Sequence, residues 1–191
     1  MAEWNQQVWA GLTAAQVSTM SKAQIRSFQS ASWLPATAAG GLLPWQMAPL
    51  SSMYSQFSAD WFNHLQLDSF IALDSGRLNQ ISTSALSGMD NALLTALSAA
   101  QVATMNNPGD MDSKKFGLLN ISALSTNHLA AMTLAQYQGL SLAQLSTLSP
   151  TQIQSLAHLE WLAPGMMGFY AGTAEISVTP VSARRPAHLG Q

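Results

Sequence analysis

The residues able to do acid–base or metal chemistry are thinly spread in this chain. His128, His158 and Glu160 form one candidate group, because two imidazoles and a carboxylate can hold a divalent metal if they converge. Their spacing is poor for ligation. The plainer reading makes His128 a helix-capping residue and His158 a surface histidine. Asp110 and Asp112, in "NPGDMDSKK", match the opening of a calcium loop. The later ligands and the bidentate glutamate are missing, so solvated loop carboxylates are the better reading. Serine is abundant, yet no Gly-x-Ser-x-Gly elbow and no Ser/His/Asp order suggest a triad, and no glycine motif would cradle a phosphate. The chain has no cysteine, which removes thiolate catalysis, disulfides and cysteine-based zinc sites. No catalytic, cofactor-binding or metal residue is therefore assigned. The expectation is a non-enzymatic protein without a cofactor.

The elements that would position such residues come from a low-charge chain. Only 8% of its 191 residues are charged, against 48% hydrophobic, and the net charge is -2. An ordinary soluble domain carries about 25% charged residues, so ionic contacts cannot organise this surface. Seven Lys plus Arg and a pI of about 6.0 argue against a nucleic-acid partner, which demands a dense basic footprint. Weak charge repulsion favours a protein partner or self-association. The opening "MAEWNQQVWAGL" lacks the basic and apolar regions of a cleaved signal peptide. No apolar stretch reaches the roughly 20 residues that span a bilayer.

A period of eight governs the rest. Phe57, Leu65, Leu73, Ile81, Met89, Leu97 and Met105 are anchors spaced eight apart, and Phe62, Phe70, Leu78, Leu86, Leu94 and Val102 follow five residues after the first six. A second frame runs Phe116, Leu124, Met132, Leu140, Leu148 and Leu156, with Ile121, Leu129, Tyr137, Leu145, Ile153 and Trp161 as companions. A third opens the chain with Leu12, Met20 and Phe28, accompanied by Val17, Ile25 and Trp33. In "LSPTQI" Ser149 is the N-cap, Pro150 is N1, Gln152 is N3 and Ile153 is N4. Ser or Thr followed three residues later by Gln is a capping box, and apolar N′ and N4 residues staple the entry. "LTAAQV", "LSAAQV" and "LSLAQL" share this grammar. A continuous helix would wind its apolar stripe around the rod and could not bury it. Each octad therefore starts a fresh short helix. No octad can stand alone, which predicts an all-α, solenoid-like array of short capped helices stacked on one another.

The array is predicted to run as an N-terminal block over 1–105, a turn and frame shift over 106–115, and a C-terminal block over 116–162. Residues 34–50 keep Leu34, Leu42 and Leu50 in step but lose the companions, and Gly40, Gly41, Pro35, Pro44 and Pro49 read as turns in a distorted stretch. Residues 163–191 read as an irregular tail, with "AEISVTPV" read as a short strand or a pairing segment. Trp4 and Trp9 suit a cap on the first octad.

"LTAAQVSTMSKAQI", "LSAAQVATM" and "LSLAQLSTLSPTQIQSL" resemble the short Leu-Ser/Thr-x-x-Gln-Val/Ile/Leu repeats of very large secreted bacterial proteins of the adhesin and haemolysin type. The resemblance covers most of residues 12–161. It implies a bacterial chain, secreted or at the cell surface without a cleaved signal peptide, with a structural or adhesive role; a cytoplasmic location is the alternative. The phrase also resembles the opening of the repeats of transcription-activator-like effectors, but those are about four times longer and basic, so DNA binding is rejected. The expected function is a repeat scaffold for protein–protein interaction or assembly. A secreted effector or toxin-associated protein that engages a host protein is the alternative.

Overall fold

The computed structural model describes residues 9–106 and 108–162. Among the described residues the fold is helical, without strands. Its helices are short, from Ala14–Ser18 near the start to Pro150–Ser155 near the end, with 3-10 turns such as Ile121–Ala123 and Leu159–Trp161 between them. Helices of four to six residues are far below the length that is stable alone in water, so packing must hold them.

That packing falls on the predicted residues. All seven anchors from Phe57 to Met105 and all six companions from Phe62 to Val102 are buried. Leu124, Met132, Leu140, Leu148 and Leu156 are buried too, as are Leu129, Tyr137 and Leu145, while Ile153 and Trp161 are half-buried against the same core. Most helices begin at the expected cap. Thr13, Ser21, Ser98, Thr133, Ser141 and Ser149 each accept from the backbone N–H of the Gln three residues on, and that Gln accepts in return from the cap's own N–H. Asp74, Ser58 and Ser82 cap without the reciprocal Gln. At the far end of a helix the anchor N–H bonds to the companion carbonyl, as Leu148 N–H does to Leu145, which closes one unit and aims the chain into the next.

The stretch at 34–50 departs from expectation. Helices Ala36–Ala39 and Pro44–Met47 form there, and Leu34, Leu42 and Leu50 are buried. The companions are not lost: Ala39 and Met47, five residues after their anchors, are buried. What changes is the cap. Pro35 and Leu43 take the N-cap position without a capping side chain, and Gln46 alone closes the turn by accepting from Leu43 N–H at 2.8 Å. The glycines serve close approach. A Cβ on Gly41 would lie 1.8 Å from the carbonyl oxygen of Ala14, in the helix packed against it.

The frame shift also resolves differently in detail. Phe116 is not an anchor but the buried companion of Met111, since Asp112 accepts from the N–H groups of Lys114 and Lys115 and starts helix Ser113–Phe116. Leu119 is the next buried anchor, and the short 3-10 turn Ile121–Ala123 carries the chain to Leu124. A single buried core runs from Trp9 to Leu162 through this region.

Helices meet across the chain in a fixed order. Ala14–Ser18, Ala36–Ala39, Ala59–Asn63 and Thr83–Gly88 pack successively, as do Pro44–Met47, Leu67–Ile71 and Asn91–Thr95. A third succession joins Ser75–Leu78, Ala99–Ala103, Ile121–Ala123 and Leu142–Leu145. Later, Thr126–Ala130 packs on Pro150–Ser155, and Ser113–Phe116, Leu134–Gly139 and Leu159–Trp161 pack in turn. In each succession the partner lies about three octads further along the chain. At the contact of Ala59–Asn63 with Thr83–Gly88, a Cβ on Gly88 would fall 2.7 Å from the Ala59 Cβ. Residues 1–8 and 163–191, and with them the Trp4 cap and the "AEISVTPV" strand, lie outside the described residues.

Candidate functional site

Counting the anchor as position one, the side chain at position five lies at N3 of its helix. Its carbonyl end, where it is Gln, completes the capping box. Its amide end reaches elsewhere. Gln46 Nε2 donates to the carbonyls of Met20 at 2.8 Å and Val17 at 2.9 Å. Gln101 Nε2 donates to Leu73 at 2.7 Å and Ile71 at 3.0 Å. Gln136 Nε2 reaches Gly109 at 2.9 Å and Met111 at 3.1 Å. Gln152 Nε2 bonds to Ser122 and Leu124, both at 2.9 Å. Met20, Leu73, Met111 and Leu124 are all anchors, each about three octads before the donor.

The rule survives a change of residue. Ser69, at position five after Leu65, donates its hydroxyl to the Leu42 carbonyl at 2.6 Å. Lys115, at position five after Met111, donates its ammonium to the Met89 carbonyl and to Asn91 Oδ1. Gln144 makes the variant contact, to the Gly117 carbonyl at 2.5 Å, two residues before the anchor Leu119. Gln46, Ser69, Gln101 and Gln136 are buried, where an unpaired amide or hydroxyl would be costly. Two asparagines add links in the opposite direction. Asn79 accepts from Asn106 N–H at 2.8 Å and donates to the Thr104 carbonyl at 2.8 Å; Asn63 makes the same pair of contacts with Asp90 N–H and the Gly88 carbonyl.

Sequence reasoning saw the Gln residues only as caps. A legible signal was present, however. Glu completes a capping box as well as Gln does, yet every box here uses Gln. Only the amide carries a donor as well as an acceptor. Nothing local marked Ser69 or Lys115 for the same task.

The candidate chemistry-bearing residues are scattered. His158 and Glu160 do pair, with Nδ1 3.0 Å from Oε1, and this hydrogen bond holds the Glu160 carboxyl below its ordinary range. The imidazole stacks on Trp161 with centroids 3.7 Å apart, and the His158 N–H donates to the Tyr137 hydroxyl. His128 is elsewhere. It caps at Ser125 through its backbone and faces a shallow cleft with Pro108, Gly109 and Asp110. Asp112 is a helix cap, and Asp110 is exposed beside that cleft. Among the described residues no three His, Asp or Glu side chains converge as a metal site would require. Burial pushes the Tyr54 hydroxyl far above its usual range while it donates to the Met47 carbonyl at 2.6 Å.

Five large apolar side chains are exposed among the described residues. Trp45, Leu67 and Ile71 are each at least 40% exposed and lie on two helices packed together, Pro44–Met47 and Leu67–Ile71. Leu134 and Leu142 are similarly exposed near the other end. Among the described residues no helix is long and apolar enough to cross a membrane. No protein-family model matches the chain, and neither does any curated protein or solved structure.

Proposed function

We propose that this protein is a three-sided helical solenoid, three octads to the turn, that acts as a non-enzymatic scaffold for protein–protein interaction or assembly in a bacterial secreted or surface protein. The observation that carries the reading is that six position-five side chains, Gln46, Ser69, Gln101, Lys115, Gln136 and Gln152, donate to anchor carbonyls about three octads back. Such bonds tie each turn to the one before it. Each octad is then stable only against its neighbours, which is the physical logic of a repeat scaffold. The helix faces not used in stacking are left to present side chains. With few charges available, recognition falls to exposed apolar groups, among them Trp45, Leu67 and Ile71 on the packed helices Pro44–Met47 and Leu67–Ile71. The resemblance of the octads to adhesin- and haemolysin-type repeats supports the secreted or surface setting. The same low basic content supports a protein rather than a nucleic acid as partner.

The test is to recover the partner by chemical crosslinking in the producing cell, purify it, and titrate it against the wild type and a Leu67→Ser/Ile71→Ser variant. Affinity should fall about tenfold or more, since each exposed apolar anchor lost from an interface is worth roughly 1 kcal/mol, with helix content unchanged. A turnover activity abolished by one polar substitution inside the helical region would overturn the scaffold reading.

A further inference from the structure

The ladder of position-five donors has two unfinished ends. Gln16 and Gln24, in the first turn, complete their own capping boxes through Oε1. Both are exposed, and neither Nε2 has an acceptor among the described residues, whereas Gln46, Gln101, Gln136, Gln144 and Gln152 each place theirs on a carbonyl of the preceding turn. At the other end, the anchors Leu148 and Leu156 present carbonyls that accept from no donor among the described residues. Of the earlier anchors in the same relation to a position-five Gln, Met20, Leu73, Met111 and Leu124 have their carbonyls satisfied, and Leu119 alone does not, because Gln144 bonds to Gly117.

These ends match in register. The rows of packed helices follow one another around the turn. Gln16 follows anchor Leu12, and Leu12 belongs to the row that ends at Leu148. Gln24 follows anchor Met20, in the row that ends at Leu156. A second copy stacked on the last turn therefore puts Gln16 over the Leu148 carbonyl and Gln24 over the Leu156 carbonyl. Charge agrees with this placement. Lys22 and Arg26 are exposed in the Met20 octad, and the exposed Glu160 sits in the Leu156 octad, its carboxyl held ionised by His158. Among the described residues, the Lys and Arg of the Met20 octad and the Glu of the Leu156 octad are thus of opposite sign.

We infer that the chain self-assembles head to tail, the first turn of one copy docking on the last turn of the next through Gln16 and Gln24. The inference rests on the solenoid reading above. Because the two faces are different, the contact does not close on itself and the product is an open filament.

Sedimentation velocity and electron microscopy of the full chain over a wide concentration range test this. The wild type should lengthen with concentration. Gln16→Glu/Gln24→Glu keeps the acceptor of each capping box and removes both donors, so it should fold with the same helix content and associate about tenfold more weakly, the worth of one or two net hydrogen bonds. Glu160→Lys alone, and Lys22→Glu/Arg26→Glu alone, should each fail to lengthen. An equimolar mixture of those two variants restores opposite charges at every junction and should recover growth. A wild type that stays monomeric would overturn the inference. So would a closed dimer, or end variants that associate like the wild type. Partner titration on the same variants separates the two readings. Retained binding through Leu67 and Ile71 without filament growth overturns the head-to-tail contact and leaves the scaffold standing.

Discussion

A glutamine at position five does two jobs with one amide. Oε1 closes its own helix start, and Nε2 ties that helix to a backbone about three octads away. This sets different costs for one substitution at different sites. Gln136→Glu keeps the cap but turns a carboxylate toward three carbonyls in a site that is 1% exposed. It should cost about 3 kcal/mol or more, whereas Gln24→Glu, exposed and unbonded at Nε2, should change the stability of the monomer by under ~0.5 kcal/mol. Urea unfolding of the two variants side by side checks the contrast. Tyr54 gives the pH dependence. Burial, opposed weakly by Arg77, raises its hydroxyl pKa above the usual 10.0. The folded protein therefore keeps this proton while the unfolded chain releases it. That contribution is complete below pH 10.0 and is lost as pH rises toward the folded value. Thermal melts across the alkaline range should show wild-type Tm falling above that pH, and Tyr54→Phe should be about 1 kcal/mol less stable at neutral pH with a shallower alkaline decline.

At the scale of the element, each described α-helix is little more than a turn long and depends on its cap and on the surface it meets. Ser149 accepts from Gln152 N–H at 3.3 Å and starts the helix Pro150–Ser155. Ser149→Ala should cost about 0.5 to 2 kcal/mol, measured by chemical denaturation; a gain would mean that no helix begins there. Glycine positions discriminate turn from contact. Gly41→Ala drives a methyl into the Ala14 backbone and should cost more than ~3 kcal/mol, as an overpacked site that only backbone movement relieves. Gly76→Ala meets nothing closer than 3.4 Å and should be neutral or stabilising by up to ~1 kcal/mol. Differential scanning calorimetry of the pair would show the difference directly. The cap residues were legible as Ser or Thr three residues before Gln. Asp112 as the start of the helix ending at Phe116 was not, because Lys115 hides the usual Gln and the frame had slipped.

For the molecule as a whole, the proposed solenoid would have a stability close to a sum of nearest-neighbour terms. Hydrogen exchange should therefore be graded, with amides near Val17 and Ile153 opening before those near Leu86 and Leu94, which are buried in the middle of the core. Met89→Ala, at a fully buried anchor, should cost about 2 to 5 kcal/mol and, by weakening the middle, should let the two ends exchange with different free energies. Uniform exchange protection along the chain would argue for one cooperative globule instead of a stack. A stack should also scatter X-rays as an elongated particle, with a radius of gyration above the roughly 16 Å of a compact chain of this length.

The sequence by itself determined the unit: which residues are buried, where helices start, and that no helix is long. Those features depend on side chains within eight residues of one another, and on capping and stapling chemistry that operates locally. Ala39 and Met47 escaped that reading only because unusual caps and a small companion masked them. Tertiary structure decided which unit meets which. The choice of about three octads between partners follows from how far each cap turns the chain, and that angle is written in no single residue. It also decided what the spare half of the Gln101, Gln136 and Gln152 amides and the Lys115 ammonium would bond, because a carbonyl some 25 to 30 residues away becomes a partner only once distant helices have packed together.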